Sequence, residues 1–153
     1  MVLPSDHPDL AVSYNNVGMT YGYLGDHAKA LKFKLKALEI FEKVLPSDHP
    51  DLARSYNNVG YSYGKLGDRE KKLECYRKAL SIRERILPRN HPDIARSCNN
   101  IAWTYADEGQ HAEALQWMRR ALEIAEHSLP EDHPVRRVYR KGVEDLERRC
   151  AKD

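Results

Sequence analysis

Apolar residues along the chain recur at the three-to-four-residue spacing of amphipathic helices, and this spacing is interrupted at regular intervals. Each interruption is a Gly-centred turn, as at Gly25-Asp26, or a Leu-Pro pair, as at Leu45-Pro46. Glycine accepts the left-handed conformation that ends a helix, and proline at the first helical position loses only an N–H that would be unpaired anyway. The pattern therefore predicts helix, turn, helix, turn. We expect first helices to begin at Pro8, Pro50 and Pro92, and second helices near residues 27, 69 and 111.

One segment of the sequence occurs four times. LPSDHPDLA at Leu3 recurs at Leu45, as LPRNHPDIA at Leu87 and as LPEDHPVRR at Leu129, with a period of 42 residues. We therefore predict a single all-α domain over residues 1–153, with repeats at 3–44, 45–86 and 87–128 and a capping helix in 129–150. Helix-turn-helix units of this kind stack into a right-handed α-α superhelix, a solenoid.

One face of each first helix is predicted to lie in the core. In the first repeat this face consists of Ala11, Tyr14, Val17, Gly18 and Tyr21. Gly18 allows the two helices of the repeat to approach closely, and Ala37 supplies a matching small residue on the second helix. Cys98 replaces a tyrosine of the other repeats on this face, so we expect a buried thiol there.

Two lysines occupy positions that the other repeats give to apolar residues. Lys34 stands where the others have Tyr76 and Met118, and Lys72 stands where both others have alanine. Because an ammonium group prefers water, we expect both side chains to extend to solvent along their apolar stems. We predict local strain at these two positions and no functional role.

The two ends of the chain differ in pattern. After Pro134 a single apolar stripe, Val135, Val138, Tyr139, Val143 and Leu146, faces a charged side that begins with Arg136 and Arg137. This is the pattern of a capping helix, which buries one stripe and exposes charge. The first helix of repeat one is as apolar as its internal copies and has no such cap. We interpret the chain as a piece of a longer array or as an engineered one, and self-association through this helix is possible.

The other face of each first helix carries polar and aromatic residues that the core does not require. Asparagine is unfavourable within a helix, and its amide can donate to and accept from an extended peptide backbone. We therefore predict a peptide-binding groove formed by Asn15, Asn57, Asn99, Arg54, Arg96, Tyr61, Trp103, Lys65, Met19 and Tyr23. Exposed aromatic residues beside basic ones favour an acidic, aromatic-containing ligand. A second series, Asn16, Asn58 and Asn100, has two open roles, in ligand binding or in hydrogen bonding to the adjacent helix.

The motif N-N-V-G-x-x-Y-x-x-L-G-D followed by A-L-x-I, in residues 3 to about 134, resembles the tetratricopeptide repeat, TPR. The 42-residue period with H-P-D-x-A-x-S-x-N-N resembles the kinesin light chain subtype. In kinesin light chains, groove asparagines and basic residues hold short cargo peptides with acidic residues around a tryptophan. The resemblance implies this role for the matching Asn57, Asn99, Arg54 and Arg96. It also implies an adaptor or scaffold. The alternative is a structural spacer or self-assembling repeat module without a specific peptide ligand.

Composition and motifs narrow the function further. The net charge of +2 is too small by itself to indicate a nucleic-acid or membrane partner, and no stretch approaches the roughly 20 apolar residues of a membrane span. His7, His49, His91 and His133 recur a whole repeat apart, so we assign them to turns and expect no metal site. No convergent acid, base or nucleophile set is present. We expect a cytoplasmic protein that is not an enzyme and has no cofactor.

Overall fold

The computed structural model describes residues 4–152, and in that range it contains seven α-helices. The helices are α1 (Pro8–Tyr23), α2 (His27–Val44), α3 (Pro50–Lys65), α4 (Arg69–Ile86), α5 (Pro92–Asp107), α6 (His111–Ser128) and α7 (Pro134–Cys150). They are three helix-turn-helix pairs followed by a single helix, as the sequence predicts. The predicted start of the first repeat at Leu3 lies outside the described residues.

The chain forms two compact units, one ending at Arg85 and the other beginning at Ile86. In the first unit α1 packs on α2 and α2 packs on α3. In the second unit α5 packs on α6 and α6 packs on α7. The grouping of all 153 residues into a single domain stays a prediction.

Four histidines begin the first helices and α7. The Nδ1 atom of His7 accepts a hydrogen bond from the backbone N–H of Asp9 at 3.1 Å, and His49 accepts from Asp51 at the same distance. His91 and His133 cap α5 and α7 in the same way. Each imidazole pairs an N–H that the first helical turn leaves unsatisfied. The predicted turn role of these histidines is confirmed, as are the helix starts at Pro8, Pro50 and Pro92.

Glycines produce the turns between paired helices. Gly25, Gly67 and Gly109 have φ angles of +80°, +83° and +75°, in the left-handed region that other residues rarely adopt. The preceding helices end two residues earlier, so each glycine reverses the chain just beyond the last helical turn.

The predicted core face of α1 is only partly buried. Ala11 and Gly18 are buried, and Tyr21 is half-buried with its ring stacked on Phe33 at 5.5 Å. Val17 is 39% exposed, whereas Val59, its equivalent on α3, is 1% exposed. Helix α3 packs against α2 of the preceding repeat, whereas no described helix precedes α1, and this difference accounts for the greater exposure of Val17. The assignment of Val17 to the core is therefore wrong.

Helix α7 packs on α6 through a narrower stripe than its sequence predicts. Leu146 and Tyr139 are buried, but Val138 is 60% exposed, so its assignment to the packed stripe is wrong. Gly142 takes its place at the interface, where a Cβ would lie 3.0 Å from Sδ of Met118. Arg136, predicted to face water, is largely buried and donates to the carbonyl of Leu129 at 3.2 Å.

Candidate functional site

Polar side chains of α1 and α3 surround a cavity of about 350 Å³ in the first unit. We call it the amide cavity, and its lining residues are Val12, Asn15, Asn16, Met19, Phe41, Asp51, Arg54, Ser55 and Asn58. Neighbouring positions on a helix differ by about 100° around its axis, so residues at spacings of three and four share this face. The predicted groove residues Asn15, Arg54 and Met19 are brought together here.

Two asparagines from different predicted series join the helices at the amide cavity. The Nδ2 atom of Asn58 donates to Oδ1 of Asn15 at 3.4 Å, and Nδ2 of Asn15 lies 3.9 Å from Sδ of Met19. Of the two roles left open for Asn58, the structure therefore shows hydrogen bonding to the adjacent helix. Asn57 is half-buried and is not among the residues that line this cavity. In the first unit the cavity therefore draws its asparagines from both series.

A buried hydroxyl group stands in the wall of the amide cavity. Ser55 is buried, and its Oγ atom has no hydrogen-bond partner among the described residues. A buried polar atom without a partner costs about 1–3 kcal/mol. A ligand that supplies a donor or acceptor at this point would recover that cost.

Both groove arginines already have an acidic neighbour. Arg54 Nη2 lies 2.8 Å from Oδ1 of Asp51, and Arg96 Nη2 lies 2.9 Å from Oδ1 of Asp93. Their side chains are exposed, so each pair contributes little to stability. The predicted positive charge of these arginines is therefore largely balanced within one helical turn.

A second cavity of about 260 Å³ adjoins the first and shares Met19 and Asn58 with it. We call it the lysine cavity; its lining residues are Met19, Gly22, Tyr23, Lys34, Asn58 and Tyr61. Tyr61 is 52% exposed, as predicted for the groove. The ammonium groups of Lys65 and Lys34 lie 5.2 and 5.8 Å from the centre of its ring, a cation-π geometry.

Lys34 does not extend to solvent, so the prediction for this residue is wrong. Its side chain is 6% exposed, and Nζ donates to Oγ of Ser62 on α3 at 2.9 Å. The stem passes beside Gly18, where a Cβ would lie 2.8 Å from Cγ of Lys34. Burial lowers the pKa of the Lys34 ammonium from its ordinary value, because the charged form loses hydration. Lys72 is half-buried, with its ammonium 5.9 Å from the centre of the Tyr76 ring.

In the second unit the predicted groove residues lie on α5. Asn99 is half-buried, and its Oδ1 is a buried acceptor without a partner among the described residues. Trp103, predicted to be exposed, is half-buried, and the Arg149 guanidinium of α7 lies 5.9 Å from the centre of its ring. The ring is therefore partly covered rather than buried in the core, and the sequence alone did not place an α7 side chain beside it.

The described residues give little support for a metal site, a membrane span or a reactive thiol. Within residues 4–152 no group of three or more His, Cys, Asp or Glu side chains could hold a metal ion. None of the helices described there is long and apolar enough to cross a membrane. Cys98 is buried, as predicted, and burial raises the pKa of the Cys75 thiol to about 11. At neutral pH such a thiol is protonated and a poor nucleophile.

Comparison with known proteins identifies the repeat. The tetratricopeptide repeat family model matches residues 9–85 and 51–127, and these two matches together cover most of the chain. The chain therefore belongs to the tetratricopeptide repeat family, a non-catalytic protein-interaction fold whose members generally bind protein or peptide partners. The prediction of a TPR fold with helix-turn-helix repeats and a capping helix is confirmed. No curated protein matches the chain significantly.

Solved structures share the fold at low sequence identity. A protein from Podosopora anserina assigned as a kinesin light chain, with nearly identical TPR-like repeats, superposes with a TM-score of 0.86 at 22% identity, over 99% of this chain and 72% of that one. BtubC (BKLC) from P. vanneervenii gives a TM-score of 0.88 at 20% identity, over 95% of this chain and 58% of that one. The apo form of RapI gives 0.80 at 22% identity, over 94% and 50% of the two chains. At these identities the likeness shows the fold alone.

Sequence reasoning missed Ser55 and the role of Lys34. Ser55 is the serine of the H-P-D-x-A-x-S-x-N-N motif, but the same serine recurs in every repeat, so the pattern did not distinguish it. Lys34 did carry a signal, since a lysine replaced a large apolar residue of the other repeats. The missing information was the position of Ser62, on the next repeat, which gives the ammonium a buried acceptor.

Proposed function

We propose that the chain is a cytoplasmic adaptor or scaffold, without catalytic activity, that binds an extended peptide on the groove face of its first helices. The observation that carries the proposal is the amide cavity, where Asn15, Asn58 and the unpaired hydroxyl of Ser55 border one space. Amide and hydroxyl groups can pair with both the N–H and the C=O groups of an extended backbone.

The proposed ligand carries an aromatic and an acidic residue. Tyr61 and Met19 offer apolar contact area beside Lys65 and Lys34, and the two lysines supply positive charge without a nearby paired carboxylate of their own. In the second unit Asn99, Arg96 and Trp103 are proposed to contribute in the same way. The resemblance of the 42-residue motif to the kinesin light chain subtype supports this choice of peptide.

The proposal is tested by fluorescence anisotropy with a labelled acidic peptide that contains tryptophan, compared with a scrambled peptide. We expect saturable binding at micromolar concentration, since a few anchors must offset the entropy of ordering a free peptide. An Asn15→Ala/Asn58→Ala double variant should weaken binding about tenfold or more, because each lost hydrogen bond costs about 0.5–1.5 kcal/mol.

Matched variants make the outcome specific. Asn90 lies exposed in the turn before α5, so Asn90→Ala should leave the affinity unchanged. Asn57→Ala should weaken binding less than Asn58→Ala, because Asn57 is not in the wall of the amide cavity. Equal affinity for both peptides, or an unaffected double variant, would contradict the proposal.

Self-association is the second candidate function, and the exposure of Val17 favours it. The equivalent Val59 is covered by a helix of the preceding repeat, so a second chain could cover Val17 in the same manner. Sedimentation velocity across a wide concentration range tests this directly. Val17→Lys should shift any dimer toward monomer, while Val138→Lys, on an exposed residue of α7, should not. A strict monomer at all concentrations would exclude this candidate.

A further inference from the structure

Lys34 is a buried cation of the first unit, and its contacts specify how the proposed groove would bind an acidic residue. Its ammonium donates one hydrogen bond, to Ser62, and no carboxylate of the described residues pairs with it. An ammonium group has three N–H donors, and burying it without an opposite charge costs free energy. The other repeats avoid this cost with buried, uncharged Tyr76 and Met118 at the same position.

The Lys34 side chain fits into its buried position because a neighbouring glycine leaves room for it. Gly18 of α1 leaves room for the stem, because a Cβ there would approach both Cγ of Lys34, at 2.8 Å, and the carbonyl of Ala30, at 3.0 Å. The stem thus passes between α1 and α2, and Nζ reaches Ser62 on α3 at the wall of the lysine cavity. The charge is therefore held inside the groove rather than at its edge.

We propose that the lysine cavity is a subsite for the carboxylate of an Asp or Glu side chain of the bound peptide, with Lys34 as its ion-pair partner. The subsite rests on the proposed peptide function. The amide cavity shares Met19 and Asn58 with it, so a peptide backbone held at Asn15 lies next to this opening. The side chains of Tyr23 and Tyr61 line the same cavity and offer apolar contact to the stem of the acidic side chain.

The charge of the site selects a carboxylate over a phosphate. Among the described residues that line the lysine cavity Lys34 is the one cation, and one carboxylate balances its ammonium, whereas a phosphate carries nearly two charges and prefers several donors or the fork of an arginine. No arginine lines the lysine cavity. Because the Lys34 side chain is 6% exposed, a carboxylate that reaches its ammonium would also pair with it in a medium less polar than bulk water, where the attraction is stronger than at the surface.

The test is a charge-swap cycle on both molecules. The probes are labelled decapeptides of Ser and Gly with one central Trp, made with Glu or with Gln at each position two to four residues from the Trp. With the unmodified chain, Glu at one of these positions should bind about tenfold more tightly than Gln. In Lys34→Met this ratio should fall below about twofold, since the ion pair is gone. Methionine already occupies the equivalent position as buried Met118, so the variant should fold.

Lys32→Met removes the same charge from an exposed position of α2 and should keep the tenfold ratio. A Glu preference that survives in Lys34→Met, or no Glu preference at any position, would overturn the subsite. In both of those cases, loss of binding in Asn15→Ala/Asn58→Ala would leave the peptide groove standing. Absence of saturable binding by every peptide would overturn the groove and the subsite together.

Discussion

Asn58 on α3 donates a hydrogen bond from Nδ2 to Oδ1 of Asn15 on α1, at 3.4 Å, and so joins the first helices of two successive repeats. Asn15 in turn directs its own Nδ2 to the sulfur of Met19, 3.9 Å away. The amide groups therefore form a short chain along the amide cavity rather than pointing freely into solvent. A ligand backbone would have to replace these hydrogen bonds between side chains with its own, and the cost of breaking them limits the affinity that the asparagines can contribute.

This amide pair predicts non-additive stability changes. Asn58→Ala and Asn15→Ala should each lower the free energy of unfolding by about 0.5–1 kcal/mol, because the bond is long and half-buried. The double variant should cost less than the sum of the two, since either change already breaks the bond. Urea unfolding of the four chains measures the cycle. Strict additivity would show that the pair contributes nothing to stability.

The close packing around Gly18 leads to a second prediction, on stability. Gly18→Ala places a Cβ 3.0 Å from the carbonyl oxygen of Ala30, a backbone atom that cannot move aside, so we expect a loss of about 1–3 kcal/mol. Gly22→Ala, one turn later on the same helix, meets only Cβ of Ala30 at 3.9 Å. It should stabilise by about 0.5–1 kcal/mol, because alanine favours the helix. Thermal unfolding of the two variants should therefore shift in opposite directions.

The helix boundaries could be predicted from sequence because their signals are local. His49 caps the helix that Pro50 begins, and Gly67 adopts the positive φ that its turn requires. Neither feature depends on a distant residue. Because the sequence repeats every 42 residues, the helix boundaries predicted for one repeat also applied to the other two.

Burial was harder to predict because it depends on what lies beside a helix. Val17 and Val59 stand in the same local sequence, yet of the described helices α1 and α3 only α3, which carries Val59, packs against a helix of an earlier repeat. A helical wheel likewise placed Val138 on the packed stripe of α7, where Gly142 makes the contact instead. For Lys34, comparison of the repeats showed that a lysine replaces an apolar residue, but the buried acceptor lies 28 residues further along the chain.

The α6–α7 interface predicts a third result. Leu146→Ala should destabilise the second unit by about 2–5 kcal/mol, because the side chain is fully buried and its removal leaves a cavity. Val138→Ala, on the same helix but mostly exposed, should change stability by no more than about 0.5 kcal/mol. Circular dichroism followed during urea unfolding compares them. Equal effects would show that α7 packs through a different face.

Lys34 predicts a stability difference that depends on pH. At neutral pH Lys34→Met should stabilise the chain, since burying a charge without an opposite charge costs several kcal/mol, more than the roughly 1.5–3 kcal/mol that its hydrogen bond to Ser62 contributes. The pKa of this lysine is lowered in the folded chain, so between the folded pKa and the ordinary value of 10.5 the unfolded chain binds more protons. The folded chain with lysine therefore gains stability as the pH rises through that window.

The advantage of Lys34→Met should accordingly be largest below the folded pKa and should shrink as the pH approaches 10.5. The neighbouring titratable groups, Tyr23, Tyr61 and Lys65, are present in both chains and largely cancel in the difference. Urea unfolding of both chains at several pH values from 7 to about 10.5 gives the two curves, with Lys32→Met as the control for loss of an exposed charge. A difference that stays constant over this range would mean that Lys34 keeps its ordinary pKa and that its ammonium is hydrated in the folded chain.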